Sequence, residues 1–160
     1  MILVCGRVCA GKTTYAKRLA REIGAVRLNA DELMKPLFGE YLGNRHEEVL
    51  RQVTALLLEK AAECYENGVN VILDLGFWQR GMRKQAERFF EARGIRIQWH
   101  YLKIEDAEWK RRITKRNERI LASGSETDYL IDENIIQKFE DPADEPLPGE
   151  MTIVLDGAEK

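Results

Sequence analysis

The sequence predicts an α/β fold, a three-layer sandwich in which a five-stranded parallel sheet carries helices on both faces, with a helical lid. Three observations lead there. Short apolar runs near residues 2, 25, 69, 95 and 151 alternate with longer segments of helical periodicity, the pattern of strands joined by helical crossovers. A glycine-rich turn follows the first apolar run directly. Acidic residues stand where the runs end, at Asp31, Asp74 and Asp156, and strand carboxyl ends are where such sheets bind ligands.

The first element is residues 2–5, Ile-Leu-Val-Cys, a short apolar run suited to a central parallel strand. It leads into Gly6, Arg7, Val8, Cys9, Ala10, Gly11, Lys12, Thr13 and Thr14. Gly6, Gly11, Lys12 and Thr13 satisfy G-x-x-x-x-G-K-[ST], a P-loop, so the expected sandwich is of the P-loop NTPase kind. Glycine lets the backbone approach phosphate oxygens closely, and the amides between Gly6 and Thr14 then form an anion-binding nest at a helix start. Lys12 supplies a point charge for the β- and γ-phosphates, and the Thr13 hydroxyl is a ligand for the Mg²⁺ that accompanies ATP. Cys9 carries two open readings: a thiol of lowered pKa beside a helix N-terminus, or a small residue that fits the turn.

Residues 14–22 continue as a helix stopped by Gly24, and residues 25–28 form the second strand. Asp31 stands between that strand and a short helix over 32–38; it is read either as the helix N-cap or as a functional acid at the crevice. Residues 39–44 form a loop. A long helix covers 46–67, with Val49, Val53, Leu56, Leu57, Ala61 and Cys64 on one face and Gly68 as its C-cap. Residues 69–74 are a nearly continuous apolar strand closed by Asp74, either a cap of the next turn or an acid holding Mg²⁺ opposite Thr13. Phe77 and Trp78 follow in a loop, as pocket lining or as core.

A helix over 79–93 turns Met82, Ala86, Phe89 and Phe90 inward, and Gly94 ends it. The strand 95–102 alternates, with Ile95, Ile97, Trp99 and Tyr101 on one face and His100 on the other. His46 and His100 receive no chemical role. Residues 105–122 form a helix with six basic residues between Lys110 and Arg119; Arg112, Lys115, Arg116 and Arg119 share a face beside an apolar stripe of Trp109, Ile113 and Ile120. Such a face suits the negative charge of a transferring phosphoryl group. The lid is expected over about residues 110–130, with a polar loop at 123–128. Asp132 caps a short helix carrying Ile135, Ile136 and Phe139. Pro142, Pro146 and Pro148 make an extended connection, and residues 151–155 are the last strand, with Asp156 and Gly157 beyond it.

The 160 residues fit one domain, 1–160. A net charge of -2 and a pI near 5.8 give no general pull toward nucleic acid or anionic membrane. From residue 123 to 150 there are nine acidic residues against one lysine, which disfavours a long phosphate track. Three cysteines without zinc-like spacing and no leader-like segment point to a cytoplasmic protein. No apolar run reaches the roughly eighteen residues a membrane span needs.

The stretches Gly6 to Thr13, Leu28-Asn-Ala-Asp31, Val71-Ile-Leu-Asp74 and Lys115-Arg-Asn-Glu-Arg119, followed by an acidic tail with prolines, resemble the P-loop kinases related to polynucleotide 5′-hydroxyl kinase, zeta toxin, chloramphenicol phosphotransferase and gluconate kinase. The resemblance spans nearly the whole chain; its first stretch is specific to P-loop nucleotide binding, the others suggestive through order and spacing. It implies ATP-dependent phosphoryl transfer to a hydroxyl, with Asp31 taking the proton from the attacking hydroxyl. It also implies that Arg112 and Arg116 contact adenine or phosphate, with Arg116 stabilising transition-state charge and Arg119 able to share that task. Relatives often pass the adenine ring along the loop that here holds Asp156 and Gly157. One position departs from the polynucleotide kinase pattern: Met34 replaces an arginine three residues past the base, which argues for a small neutral or cationic acceptor. The expected site is therefore catalytic Asp31, Lys12 and Arg116, nucleotide-binding residues 6–14 with Arg112 and Arg116, and Thr13 with Asp74 for Mg²⁺. Phosphorylation of a 5′-hydroxyl polynucleotide or a nucleotide sugar, and a nucleotide-dependent switch without acceptor, are the alternatives.

Overall fold

A computed structural model describes residues 1–38, 42–124, 130–144 and 150–155. The strands β1 (Ile2–Gly6), β2 (Val26–Asn29), β3 (Val71–Gly76), β4 (Gln98–Lys103) and β5 (Glu150–Leu155) form one sheet in the order β2-β3-β1-β4-β5. Every neighbouring pair is parallel. The helices are α1 (Lys12–Ile23), α2 (Ala30–Phe38), α3 (His46–Glu66), α4 (Arg80–Glu91), α5 (Asp106–Ser123) and the single turn α6 (Glu133–Ile136). β1 is central, and the chain passes to its other side between β3 and β4. The carboxyl end of β1 is thus the switch point at which open α/β sheets take ligands.

Strand side chains alternate between two cores. Leu3, Cys5, Leu73, Trp99 and Tyr101 pack with Leu58 and Ala61 of α3 and Ala86 and Phe90 of α4. Val4, Ile72 and Leu102 pack with Ala16 of α1 and Trp109 and Ile113 of α5. The parity of β3 therefore directs Asp74, two residues after Ile72, to the α1 side.

Three strands begin later than their apolar runs, and for one reason. The Ala25 amide donates to the Ala20 carbonyl (2.8 Å), that of Val69 to Cys64 (3.0 Å) and that of Ile95 to Phe90 (3.0 Å). Each residue follows a glycine of positive φ, Gly24, Gly68 or Gly94, and completes the C-terminal cap of the preceding helix instead of opening the strand. The carboxyl end of β3 also differs, since the strand runs on to Gly76. In α3, Leu56 is exposed and Leu58 is buried in its place. Asp132 caps α6 as expected, accepting from the Ile135 amide at 3.0 Å. Pro142 is buried and opens a 3-10 turn, Pro142–Asp144, instead of an extended link. Residues 39–41 of the 39–44 loop, the loop from 125 to 128, Pro146, Pro148, Asp156 and Gly157 lie outside the described residues.

Candidate active site

The P-loop is built by backbone requirements. At Gly6, φ is 146°, and an added Cβ would lie 2.6 Å from the Leu102 carbonyl oxygen on β4. Glycine alone lets the end of β1 lie so close to its neighbour. Cys9 and Gly11 adopt φ of 61° and 87°, turning the chain so that α1 starts at Lys12. No side chain caps that helix start, and its exposed amides and dipole suit an anion. Thr13 and Thr14 are exposed in its first turn.

Lys12 bends back over the loop, donating from Nζ to the carbonyls of Gly6 (2.9 Å) and Arg7 (2.7 Å). Burial pushes its ammonium down to about 8, while Asp74, Cys5, Cys9 and Asp31 oppose that shift by charge. The indole of Trp78 lies 5.8 Å from Nζ. Phe77 is a core residue, meeting Trp99 edge-on at 5.1 Å, so of the two loop aromatics only Trp78 borders the P-loop.

The loop is also tied to α5. Trp109 donates its Nε1–H to the Val8 carbonyl at 2.8 Å. The Arg7 guanidinium lies 4.8 Å from the Trp109 ring centre and pairs with Asp106 at 2.5 Å. The Arg7 side chain is therefore a tie between elements, and what the residue offers an anion is backbone. Beside it a cavity of about 260 Å³ opens between Tyr101, Lys103, Glu105 and Asp141. A larger one, about 800 Å³, lies at the amino ends of the strands, away from this site.

Asp74 is buried, and both its side-chain contacts fall on Oδ2: Arg27 at 3.1 Å and Asn29 Nδ2 at 3.0 Å. Asn29 Nδ2 also donates to the Asp74 carbonyl (2.8 Å), and its Oδ1 accepts from the Glu32 amide (3.0 Å). The N-cap of α2 is accordingly Asn29, not Asp31. The Asn29 amide spans both neighbouring groups, which a carboxylate two residues later cannot do. Asp31 lies exposed in the first turn of α2, with no side-chain hydrogen bond among the described residues.

On α5, Trp109, Ile113 and Ile120 are buried as expected. Arg112 is half-buried and pairs with Glu108 at 2.7 Å; Arg111 also binds Glu108, and the two guanidiniums hold that carboxyl down at about 2. Arg116, one turn on from Arg112, is half-buried, whereas Lys115 and Arg119 are exposed. Met34 is 4% exposed and packs inward, so it lines no open acceptor subsite. His100 is buried against α1, 2.6 Å from the Tyr15 hydroxyl through Nδ1, and burial lowers its pKa.

Sequence reasoning missed Arg27, Asn29 and Arg83. Asn29 carried a signal, because Asn followed three residues later by Glu is a capping pattern. Arg83 is fully buried in α4 and donates to the carbonyls of Phe77 (2.9 Å) and Trp78 (3.1 Å), fixing the turn after β3. Its one sequence signal is its place three residues before Ala86 and seven before Phe90, on the inward arc of the helix, which the exposed Arg80 and Arg88 do not share.

The residues present fit Mg²⁺. That ion takes one or two protein oxygens and completes its shell with phosphates and water. Thr13 stands in the first turn of α1, the helix that covers the sheet face to which Asp74 belongs, and Oδ1 of Asp74 accepts no hydrogen bond among the described residues. Among those residues no cluster of three or more acid, histidine or cysteine side chains forms a self-sufficient metal cage.

Residues 1–142 match the AAA domain family, AAA_33. The chain belongs to that family. No curated protein matches the sequence. Among solved structures, this AAA domain is similar to a provisionally named kinase from Chloroflexus aurantiacus J-10-fl, with TM-score 0.71 and 21% identity over 96% of this chain and 83% of that one. Chaetomium thermophilum Kti12 in complex with ADP-AlF3 gives TM-score 0.67 and 17% identity over 98% and 89%. The Mycobacterium tuberculosis APS kinase CysC, in complex with AMPPNP and APS, gives 0.61 and 17% over 98% and 87%. At these identities the likeness is one of fold, a P-loop sandwich with a five-stranded parallel sheet. No helix among the described residues of this AAA domain is long and apolar enough to cross a membrane.

Proposed function

We propose that this AAA domain protein is an ATP-dependent kinase that moves the γ-phosphoryl of ATP-Mg²⁺ to a hydroxyl of a small-molecule acceptor. The observation that carries the reading is geometric: Asp31 is exposed in the first turn of α2, without a side-chain hydrogen bond among the described residues, two residues past Asn29, which lies in register with Asp74 at the sheet end that carries the P-loop. A nucleotide switch needs no second acid there. APS kinase and the Chloroflexus kinase share the fold, which supports the same reading, as does the resemblance to the polynucleotide kinase and zeta toxin group.

In this mechanism the amides of residues 7–14 and the Lys12 ammonium hold the β- and γ-phosphates. Thr13 and Asp74 would hold Mg²⁺, which would supply charge neutralisation to the β- and γ-phosphates. The acceptor oxygen attacks the γ-phosphorus in line, the bond from that phosphorus to the β,γ-bridging oxygen breaks, and ADP departs. Asp31 accepts the proton of the attacking hydroxyl. Arg116, with Arg112 beside it, faces the charge that spreads over the transferring group. The protein acts in the cytoplasm, where ATP-Mg²⁺ is at hand.

The test is transfer of label from γ-labelled ATP into separate pools of small hydroxyl metabolites, nucleotide sugars and 5′-hydroxyl oligonucleotides, beside Asp31→Asn. Label entering the metabolite pool, and lost in a variant that still binds ATP, is the expected result. Label in the oligonucleotide or nucleotide-sugar pool would replace the acceptor class. Free phosphate released equally by both proteins would replace the kinase by a hydrolase or switch.

A further inference from the structure

Arg27 is the least expected charge near this site. It stands on β2 at the same parity as Asn29, and its side chain is only 9% exposed. One guanidinium nitrogen, Nη1, holds Oδ2 of Asp74 at 3.1 Å; the other, Nη2, binds Oε1 of Glu32, which Lys17 of α1 also reaches at 3.3 Å. A planar guanidinium with donors in a fixed fork fits two carboxylates in this way, and an ammonium does not. Glu32 is the residue after Asp31. One buried side chain therefore joins the acid of β3, the first turn of α2 and, through Glu32, α1.

The two contacts on Asp74 are also unequal. Arg27 and Asn29 both engage Oδ2, and the carboxylate cannot rotate without breaking a charge-assisted bond. Oδ1 is thereby presented as a single, directed oxygen on the α1 side of the sheet. From this geometry we infer that Arg27 is a positioning residue: it clamps Oδ2 so that Asp74 offers only Oδ1 to the nucleotide's Mg²⁺ or its water. Through Glu32 it also fixes the turn that carries Asp31. The inference rests on the metal role proposed above for Asp74. Outer partners of metal-binding carboxylates typically change metal affinity by about 10–100-fold when removed.

The experiment measures the Mg²⁺ concentration that half-saturates the enhancement of binding of a fluorescent ADP analogue, with metal-free nucleotide affinity and thermal melting recorded in parallel. Arg27→Met is expected to raise the half-saturating Mg²⁺ about tenfold while metal-free nucleotide affinity holds. Arg27→Lys, which can hold one carboxylate but not both, is expected to fall between. Asp74→Asn is expected to match Arg27→Met, with no further loss in the double variant. An unchanged Mg²⁺ requirement in a folded Arg27→Met protein would overturn the inference, as would equal losses with and without metal. If Arg27→Met does not fold, Arg27→Lys decides, and wild-type Mg²⁺ dependence there rejects the clamp. A wild-type protein that binds the analogue without any Mg²⁺ effect would instead reject the underlying metal reading.

Discussion

The indole N–H of Trp109 donates to the carbonyl of Val8 at 2.8 Å, so the arginine-bearing helix α5 is bonded directly to the phosphate loop. Val8 is itself buried, and its carbonyl is out of reach of bulk water. Position of the loop and position of α5 are thus one variable.

Trp109→Phe keeps most of the packing against Ile113 and the ring beneath Arg7 but leaves the Val8 carbonyl unpaired. A stability loss of about 1–3 kcal/mol is expected from urea unfolding. Nucleotide affinity should fall in the same variant, because the loop loses its tether. A fully wild-type unfolding midpoint would show that the bond contributes nothing.

Gly6→Ala tests the close approach of β1 to β4. With its Cβ placed 2.6 Å from a backbone oxygen, the neighbouring strand must shift, at a destabilisation of about 2–5 kcal/mol. Chemical denaturation reads this directly, and P-loop function should be lost with it.

The Lys12 ammonium, lowered by burial to about 8, gives a pH dependence with a definite sign. The charged form binds phosphate, and the free protein loses that charge as pH rises through about 8. With Mg²⁺ saturating, so that the terminal phosphate of ATP is already ionised, affinity should be flat below about pH 7 and weaken above pH 8, approaching about tenfold per unit. Calorimetry under the same condition, in buffers of different ionisation heat, should show proton uptake on binding near pH 9 and little below pH 7. Lys12→Met should abolish the proton linkage along with most of the affinity. The same shift acts on the fold: the unfolded chain holds this proton more tightly, so stability rises as pH increases from about 8 toward 10.5.

Asn29→Ala and Asp31→Ala separate cap from base. Asn29 caps α2 and binds Asp74 at two atoms, so its loss should lower stability by about 1–3 kcal/mol. Asp31 is exposed, and its removal should change stability by only a few tenths of a kcal/mol through the helix dipole while phosphoryl transfer collapses. Thermal melting paired with the transfer assay distinguishes the two, and equal melting losses would return the capping role to Asp31.

How far the sequence reaches differs from residue to residue. The P-loop was legible because its constraints are local: two glycines, a lysine and a hydroxyl at set spacing follow from backbone and phosphate geometry alone. The five strands were legible in number and in approximate place along the chain, because β1 and β3, buried on both faces, need near-continuous apolar runs and the others still carry short apolar or alternating segments. Their first residues were not, since Ala25, Val69 and Ile95 are equally apolar whether they open a strand or finish a helix cap. Cap hydrogen bonds decide between those roles.

The acids show the same division. That Asp31 and Asp74 stand beside the crevice followed from their places after strands, but their states did not. Asp74 is locked by Arg27 and Asn29, while Asp31 is left open, and both outcomes depend on which side chains β2 and β3 bring together in register. By itself, then, the sequence determined a P-loop at the end of a central strand, five parallel strands and an arginine-rich α5. Only the tertiary structure decided that Arg27 is buried, that Arg83 binds the carbonyls of Phe77 and Trp78, that Arg7 binds Asp106 and that Trp109 holds the loop. Arginine burial and long-range hydrogen bonds are properties of pairs of distant segments, and no local pattern encodes the partner.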